Sequence, residues 1–422
     1  MRKVKYVMLL VLFAGATSMY MESCSKDETP GALVLSSLKT DGGVALDGAT
    51  SATAIPLNAS VVATFNKAVN ATTATAANIS LKVNGVTVAS TITVDGAVVT
   101  IDPTNDLPTG TNHTVAVTAG LKASDGGAAS AAEFTFKSFG PPVVTTPQES
   151  NLLAFFPFNG NLTDATGAHT PDAADVKNMT FVADRFGFAG LAASFNGTTS
   201  IVEVPNGDGF MVGPDFSISF WIKPDGTKES HFVLGLAGWY GFQFEIMGGP
   251  WTALDKGVKL ATRYDIGGGL TDAEDTWWNG NPNGWQGSTF AKDVTGSGGI
   301  ASFFKDRWVH VVCTYKASTK VGTMYVDGQK TRSWDFNLWP TCTSPCKQFA
   351  AGVKFAGNTT GGGNKLALGF IQASGNRIIT DTWADPADPA NNHFKGLMDD
   401  LRIWKGALTE AEIVALYTAE KP

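Results

Sequence analysis

The 422-residue chain reads as all-β, two sandwiches in series closed by one short helix. Three observations predict this. Apolar and polar residues alternate in short runs, the period of a strand with one buried face. The clearest run sets Phe216, Ile218, Phe220 and Ile222 against Ser217, Ser219, Trp221 and Lys223. Turn pairs punctuate such runs: Asn84-Gly85, Asp95-Gly96, Asn159-Gly160 and Asp327-Gly328 suit two-residue hairpins. The helical signal lies at the C-terminus. There Leu408-Thr409-Glu410-Ala411-Glu412-Ile413 has the form of a capping box with a hydrophobic staple, and Ile413, Leu416 and Tyr417 form an apolar stripe.

Composition narrows the class. Hydrophobic residues make up 43% and charged residues 16%, which supplies a core and excludes general disorder. The net charge is −7 and no basic patch stands out, so nucleic acid is not an expected partner. All 11 Trp lie at or after Trp221, which puts any aromatic binding surface in the second half.

Residues 1–23 read as a signal peptide: Arg2, Lys3 and Lys5 precede an apolar run from Tyr6 to Tyr20 that is short for a membrane span. Residues 24–30 form a polar tether. Residues 31–138 carry seven expected strands, at 33–38, 61–65, 79–83, 86–94, 98–101, 113–119 and 133–137, a spacing that suggests an Ig-like sandwich. The stretch 139–150, FGPPVVTTPQES, has three prolines and reads as an extended linker. Residues 151–422 form the second sandwich, with long Gly-, Trp- and Asn-rich inserts at 247–305 and 333–362.

Several stretches carry family resemblances. Cys24 after the small Ser23 resembles the lipidated cysteine of bacterial lipoproteins, although Met21-Glu22-Ser23 departs from the usual lipobox. Ser25-Lys26-Asp27-Glu28 resembles the surface-export signal of Bacteroidetes lipoproteins. VVATFNKAV and LPTGTNHTVAVTAGLKASDGG resemble a bacterial Ig-like domain. The opening FFPFNGNLTDATG, then FNGTTSIVEV, FSISFWIKP, Trp308-Val-His310-Val and FKGLMDDLRIWKGALTEAEI, resemble the laminin-G/concanavalin-A-like jelly roll of bacterial surface proteins. That resemblance covers roughly the last 270 residues and says least about the inserts.

Candidate sites follow. In GLMDDLRIW, alternation places Asp399 on the apolar register with Leu397, Leu401 and Ile403, and Asp400 and Arg402 opposite. A buried carboxylate needs a cation or several donors. The resemblance implies a structural Ca²⁺ held by Asp399 and the loop from Asn161 to Asp164; backbone N–H groups, Arg402 or Lys405 are the alternative partners. The segment Asp275-Thr-Trp277-Trp278-Asn279, continuing to Trp285 and Gln286, combines aromatic faces with amide and carboxylate groups, the composition of a sugar-binding loop. The alternative is that its Trp side chains plug the sandwich edge. Trp334 and Trp339 are candidates for the same surface. Cys342 and Cys346 can close a small disulfide if Pro345 bends the chain, and Cys313 reads as a buried free thiol. Catalysis finds no support: the E-x-D-x-x-E pattern of glucanases on this fold is missing, and the five His are scattered without metal spacing.

The sequence therefore predicts a lipid-anchored outer-membrane protein at the cell surface. An Ig-like spacer presents a concanavalin-A-like domain that binds polysaccharide without catalysis. Alternatives are a protein-binding adhesin, an accessory subunit of an outer-membrane complex, and a divergent glycoside hydrolase.

Overall fold

The computed structural model describes residues 30–247, 257–282, 287–340, 342–343, 346–357 and 363–422. Cys24, Trp285 and Gln286 lie outside them. The chain forms two compact units, one ending at Lys137 and the other holding Ser138–Pro422, with residues 108–111 counted in the second. Among the described residues no helix is long and apolar enough to cross a membrane.

In the first unit a four-stranded sheet runs in the order Leu35–Thr40, Val61–Phe65, Val98–Pro103, Ser90–Asp95. A five-stranded sheet runs Ala52–Ile55, Ala132–Ser138, Asn112–Val117, Ile79–Val83, Val86–Thr87. One core cluster, with Leu38, Val61, Phe65, Ile79, Leu81, Val99, Ile101, Val115 and Phe136, joins the strands of both. The stretch 86–94 was expected to be one strand. It divides, Val86–Thr87 in one sheet and Ser90–Asp95 in the other, so it turns the corner of the sandwich. Ala52–Ile55 carries one buried residue, Ile55, too weak a signal for a strand.

The second unit stacks a nine-stranded sheet on an eight-stranded one. The nine-stranded sheet places Lys395–Trp404 between Ala192–Asn196 and Phe216–Pro224, then continues through Val309–Lys316, Val321–Val326 and Gln329–Asp335. The eight-stranded sheet contains Ile201–Val204, Leu366–Leu368, His231–Leu236, Phe242–Ile246, Val258–Gly267 and Leu270–Trp278 in that order. Phe156, Phe195, Phe216, Ile218, Phe220, Phe242, Phe244, Leu260, Val311 and Met398 fill the space between them.

Phe216, Ile218, Phe220 and Ile222 point inward as their alternation requires, yet Ser217, Ser219 and Trp221 on the opposite face are buried too. The C-terminal helix Glu410–Glu420 covers them. Trp221 stacks on Tyr417 at 5.9 Å and donates from Nε1 to Glu420 at 2.8 Å. Thr409 and Glu412 form the capping box, and Leu408, Ile413 and Leu416 pack against Val312, Tyr325 and Trp404. The end of the expected linker is also part of this layer. Val144 packs on the same cluster, Trp404 Nε1 donates to Pro147 O at 2.9 Å, and Gln148 Nε2 donates to Glu412 at 2.9 Å.

Candidate functional site

The expected sugar-binding loop begins as a strand. Leu270–Trp278 pairs with Val258–Gly267 along its length. LTDAEDTWW hides this because its inward positions include the polar Asp272, Glu274 and Thr276. Successive strand residues face opposite sides, so Trp277 and Trp278 cannot share a surface. Trp278 is core: it is 1% exposed, meets Phe303 edge-on and donates from Nε1 to Lys292 O at 3.0 Å. Trp334 is core as well. Trp277 is half-buried on the outer face, with Lys259 Nζ 5.2 Å from its ring. Asp275 shares that face and accepts from Lys259 Nζ at 2.9 Å. Asn279 follows the strand, half-buried. Trp339 is half-buried elsewhere, under Lys347 Nζ at 5.0 Å.

The outer face of the eight-stranded sheet assembles what the loop was expected to supply. Trp277, Lys259 and Glu245 form one cross-strand row, and Asp275, Ala261 and Gln243 the next. Further along, Arg263 lies 5.2 Å from the Tyr240 ring, donates from Nε to Trp239 O at 2.8 Å and from Nη1 to Thr271 at 3.0 Å. Trp239 stacks on Tyr240 at 6.1 Å and on Trp383 at 5.7 Å, and Trp383 is 41% exposed. The result is a polar floor with aromatic rings at both ends. Lys259 and Arg263 are four residues apart on one strand, about 13 Å. Trp239 and Tyr240 sit in a turn and Trp383 on a distant loop, so no local pattern in the sequence unites them.

The floor is electrostatically tense. Burial pushes the Glu245 carboxyl up to about 7; Lys259, with its ammonium 3.6 Å away, opposes this, and Asp275 adds to it. The Gln243 amide donates to Glu245, while its own Oε1 is buried with no hydrogen-bond partner among the described residues.

Asp399 lies elsewhere, on the outer face of the nine-stranded sheet. The expected register breaks at Asp400, which adopts φ 44°, opposite a shift between Ser219 and Trp221 on the neighbouring strand. This bulge moves Met398, Leu401 and Ile403 into the core and leaves Asp399 beside Trp221 under the helix. It also lets both acids reach one guanidinium: Arg185 Nη1 donates to Asp399 and Nη2 to Asp400, each at 2.5 Å. Arg185 Nε donates to Glu420 O at 2.8 Å, and Arg402 pairs with the Glu420 carboxylate at 2.6 Å. Burial, above all, holds Asp399 well above the usual carboxylate range, with Asp400 adding to the effect. Asp164 is filled by the chain itself. It accepts from the backbone N–H groups of Phe155, Thr166, Ala168 and His169 and from the Thr166 hydroxyl. Asp399 has a cation and Asp164 has five donors, so these two carboxylates do not fit a shared calcium. Among the described residues no group of three or more His, Cys, Asp or Glu is arranged to hold a metal.

Cys342 and Cys346 are disulfide-bonded with Cα atoms 5.4 Å apart, and Cys313 is free and buried.

Comparison with known proteins matches two stretches of the chain to family models. Residues 44–139 match the bacterial Ig-like domain, and residues 196–371 match the concanavalin A-like lectin/glucanases superfamily. Domain 4 of AbnA, an extracellular arabinanase from Geobacillus stearothermophilus solved with arabinotriose, is 20% identical over 63% of this chain and 98% of its own, with a TM-score of 0.35. The binding domain of Paraclostridial Mosquitocidal Protein 1 is 18% identical over 64% of this chain and 52% of its own, TM-score 0.39. The receptor-binding domain of botulinum neurotoxin type G is 12% identical over 64% and 51%, TM-score 0.36. The chain thus spans about half of these toxin domains. No curated protein matches it.

Proposed function

Given a bacterial Ig-like domain followed by a concanavalin-A-like jelly roll, we propose that this chain is a lipid-anchored surface protein that binds polysaccharide without cleaving it. The Ig-like domain acts as spacer and Cys24 as the anchor to the outer membrane. The observation that carries the binding reading is the outer face of the eight-stranded sheet, where Trp383, Trp239 and Tyr240 at one end and Trp277 at the other flank Arg263, Lys259 and Asp275. Aromatic rings offer apolar faces to the C–H side of a pyranose, and the charged groups between them bond its hydroxyls.

Retention on a panel of immobilised polysaccharides tests this. Trp383→Ala and Trp277→Ala should each lower retention on a polysaccharide that holds the parent protein, with melting temperature nearly unchanged. Trp278→Ala should instead cost about 3–5 kcal/mol of stability, as a buried Trp does. Full retention by the Trp277→Ala, Trp383→Ala double variant would remove the reading. The anchor has its own test: Cys24→Ala should release the protein from membranes.

One observation favours cleavage: Glu245, pushed to about 7, shares Lys259 with Asp275, as an acid and a carboxylate base would. Glu245 is 1% exposed, which keeps a sugar from it. Reducing-end release from a bound polysaccharide, lost in Glu245→Gln, would reverse that choice.

A further inference from the structure

A second cleft lies on the other sheet. On the outer face of the nine-stranded sheet, Lys223, Leu397 and Ser194 stand side by side across three strands. Their pairing ends here, at Pro224 and Gly396, and a cleft of about 470 Å³ opens above them. That volume is in the range of small-ligand sites. Its charges are unevenly used. Asp225 is occupied by Lys395 at 3.1 Å and by the backbone and hydroxyl of Thr227. Among the described residues Asp306 accepts from Gly226 N through Oδ1 alone. The Lys223 side chain is half-buried, and its ammonium has no hydrogen-bond or ion-pair partner among the described residues.

An ammonium on an apolar floor, with one carboxylate oxygen still open at the rim, is an unfinished set. We propose that this cleft binds an acidic sugar, its carboxylate on Lys223, its hydroxyls on Asp306 and its ring on Leu397 and Pro224. An ion pair to a carboxylate is the strongest bond Lys223 can form here. A neutral sugar would leave the ammonium partly desolvated without a counter-charge. The choice of a sugar rests on the glycan-binding reading; the anionic group rests on Lys223.

Titration of the full mature chain with trigalacturonate at low salt, followed by calorimetry, tests the cleft. Binding is expected. It should weaken at least about tenfold in Lys223→Gln and fall with added salt. Lys223→Glu should abolish it, with circular dichroism confirming the fold. No binding by the parent protein, or equal binding by Lys223→Gln, overturns the proposal. Neutral polysaccharide binding that survives Lys223→Gln while the acidic probe fails would leave the aromatic face standing and sink the cleft alone.

Discussion

The two units are both β-sandwiches, and their interiors differ sharply in charge. In the first, His113 is the one buried ionisable side chain among the described residues. In the second, Arg185, Glu245, Lys259, His310, Asp399, Arg402 and Glu420 are all buried. None of these charges sits between the sheets, where Phe, Val, Leu and Ile fill the core. They belong to the outer faces, which the C-terminal helix covers on one side and turns and loops on the other. A sandwich whose outer face meets water carries its charges at little cost. Once that face is covered, each charge must find a partner. The second unit is therefore the one whose stability depends more heavily on ion pairs and on pH.

The most damaging way to probe this difference is to remove Arg185. Arg185→Met leaves Asp399 and Asp400 without their shared cation, and loss of one partner from a buried pair costs about 3–5 kcal/mol. Tryptophan fluorescence reads the second unit alone, since all 11 Trp lie at or after Trp221. The fluorescence midpoint in urea should fall substantially, while the first unit's circular-dichroism transition stays in place. A fluorescence midpoint within error of the parent would show that the network holds nothing together.

A smaller effect, set by acid, also separates the units. Burial lowers His310 to about 3, with Arg402 and Arg185 adding to it, and its Nε2 is hydrogen-bonded to the Ser219 hydroxyl at 2.7 Å. The unfolded chain takes up this proton near pH 6.5 and the folded one does not until about 3. Stability is therefore lost as pH falls through that window. His310→Gln should make the acid side of the fluorescence stability profile shallower, whatever it does to stability at pH 7. An unchanged slope would show that His310 does not stay neutral in the fold.

Much of the architecture was legible. Strands whose inward residues are large and apolar, such as Phe216–Pro224, announce themselves by alternation, and Thr409 with Glu412 marks the helix start. Leu270–Trp278 did not, because its outward face is Thr, Ala, Asp and Trp and its inward face holds Glu274. The aromatic face was illegible for a different reason. Trp239, Tyr240 and Trp383 meet only after the sheet order is fixed, and pairing across a fold leaves no periodic trace. Asp399 misled because one bulge at Asp400 reverses the alternation after it. Alternation holds on either side of Asp400, and the inserted residue puts Met398, Leu401 and Ile403 on the core face in place of Leu397.

The finest test uses a charge that titrates in the opposite sense. Glu245 is raised from 4.5 to about 7, chiefly by burial. Between these values the folded state holds a proton that the unfolded state has released, so stability falls as pH rises through the window. That slope opposes the one from His310, and wild-type melting curves mix the two. Glu245→Gln removes the carboxyl and keeps a hydrogen-bonding group beside Gln243 and Lys259. Near pH 4.5 the variant should match the parent or lie slightly below it, having lost the Lys259 contact. At pH 8 it should be more stable, on the order of 2 kcal/mol, because the parent then buries an ionised carboxylate that one lysine neutralises incompletely. The measurement is the difference in fluorescence midpoint between variant and parent across pH 4.5 to 8. A difference that does not change with pH would mean that Glu245 is ionised throughout. The lysine would then be its full counter-ion, and the floor of the aromatic face would carry a fixed ion pair in place of a proton.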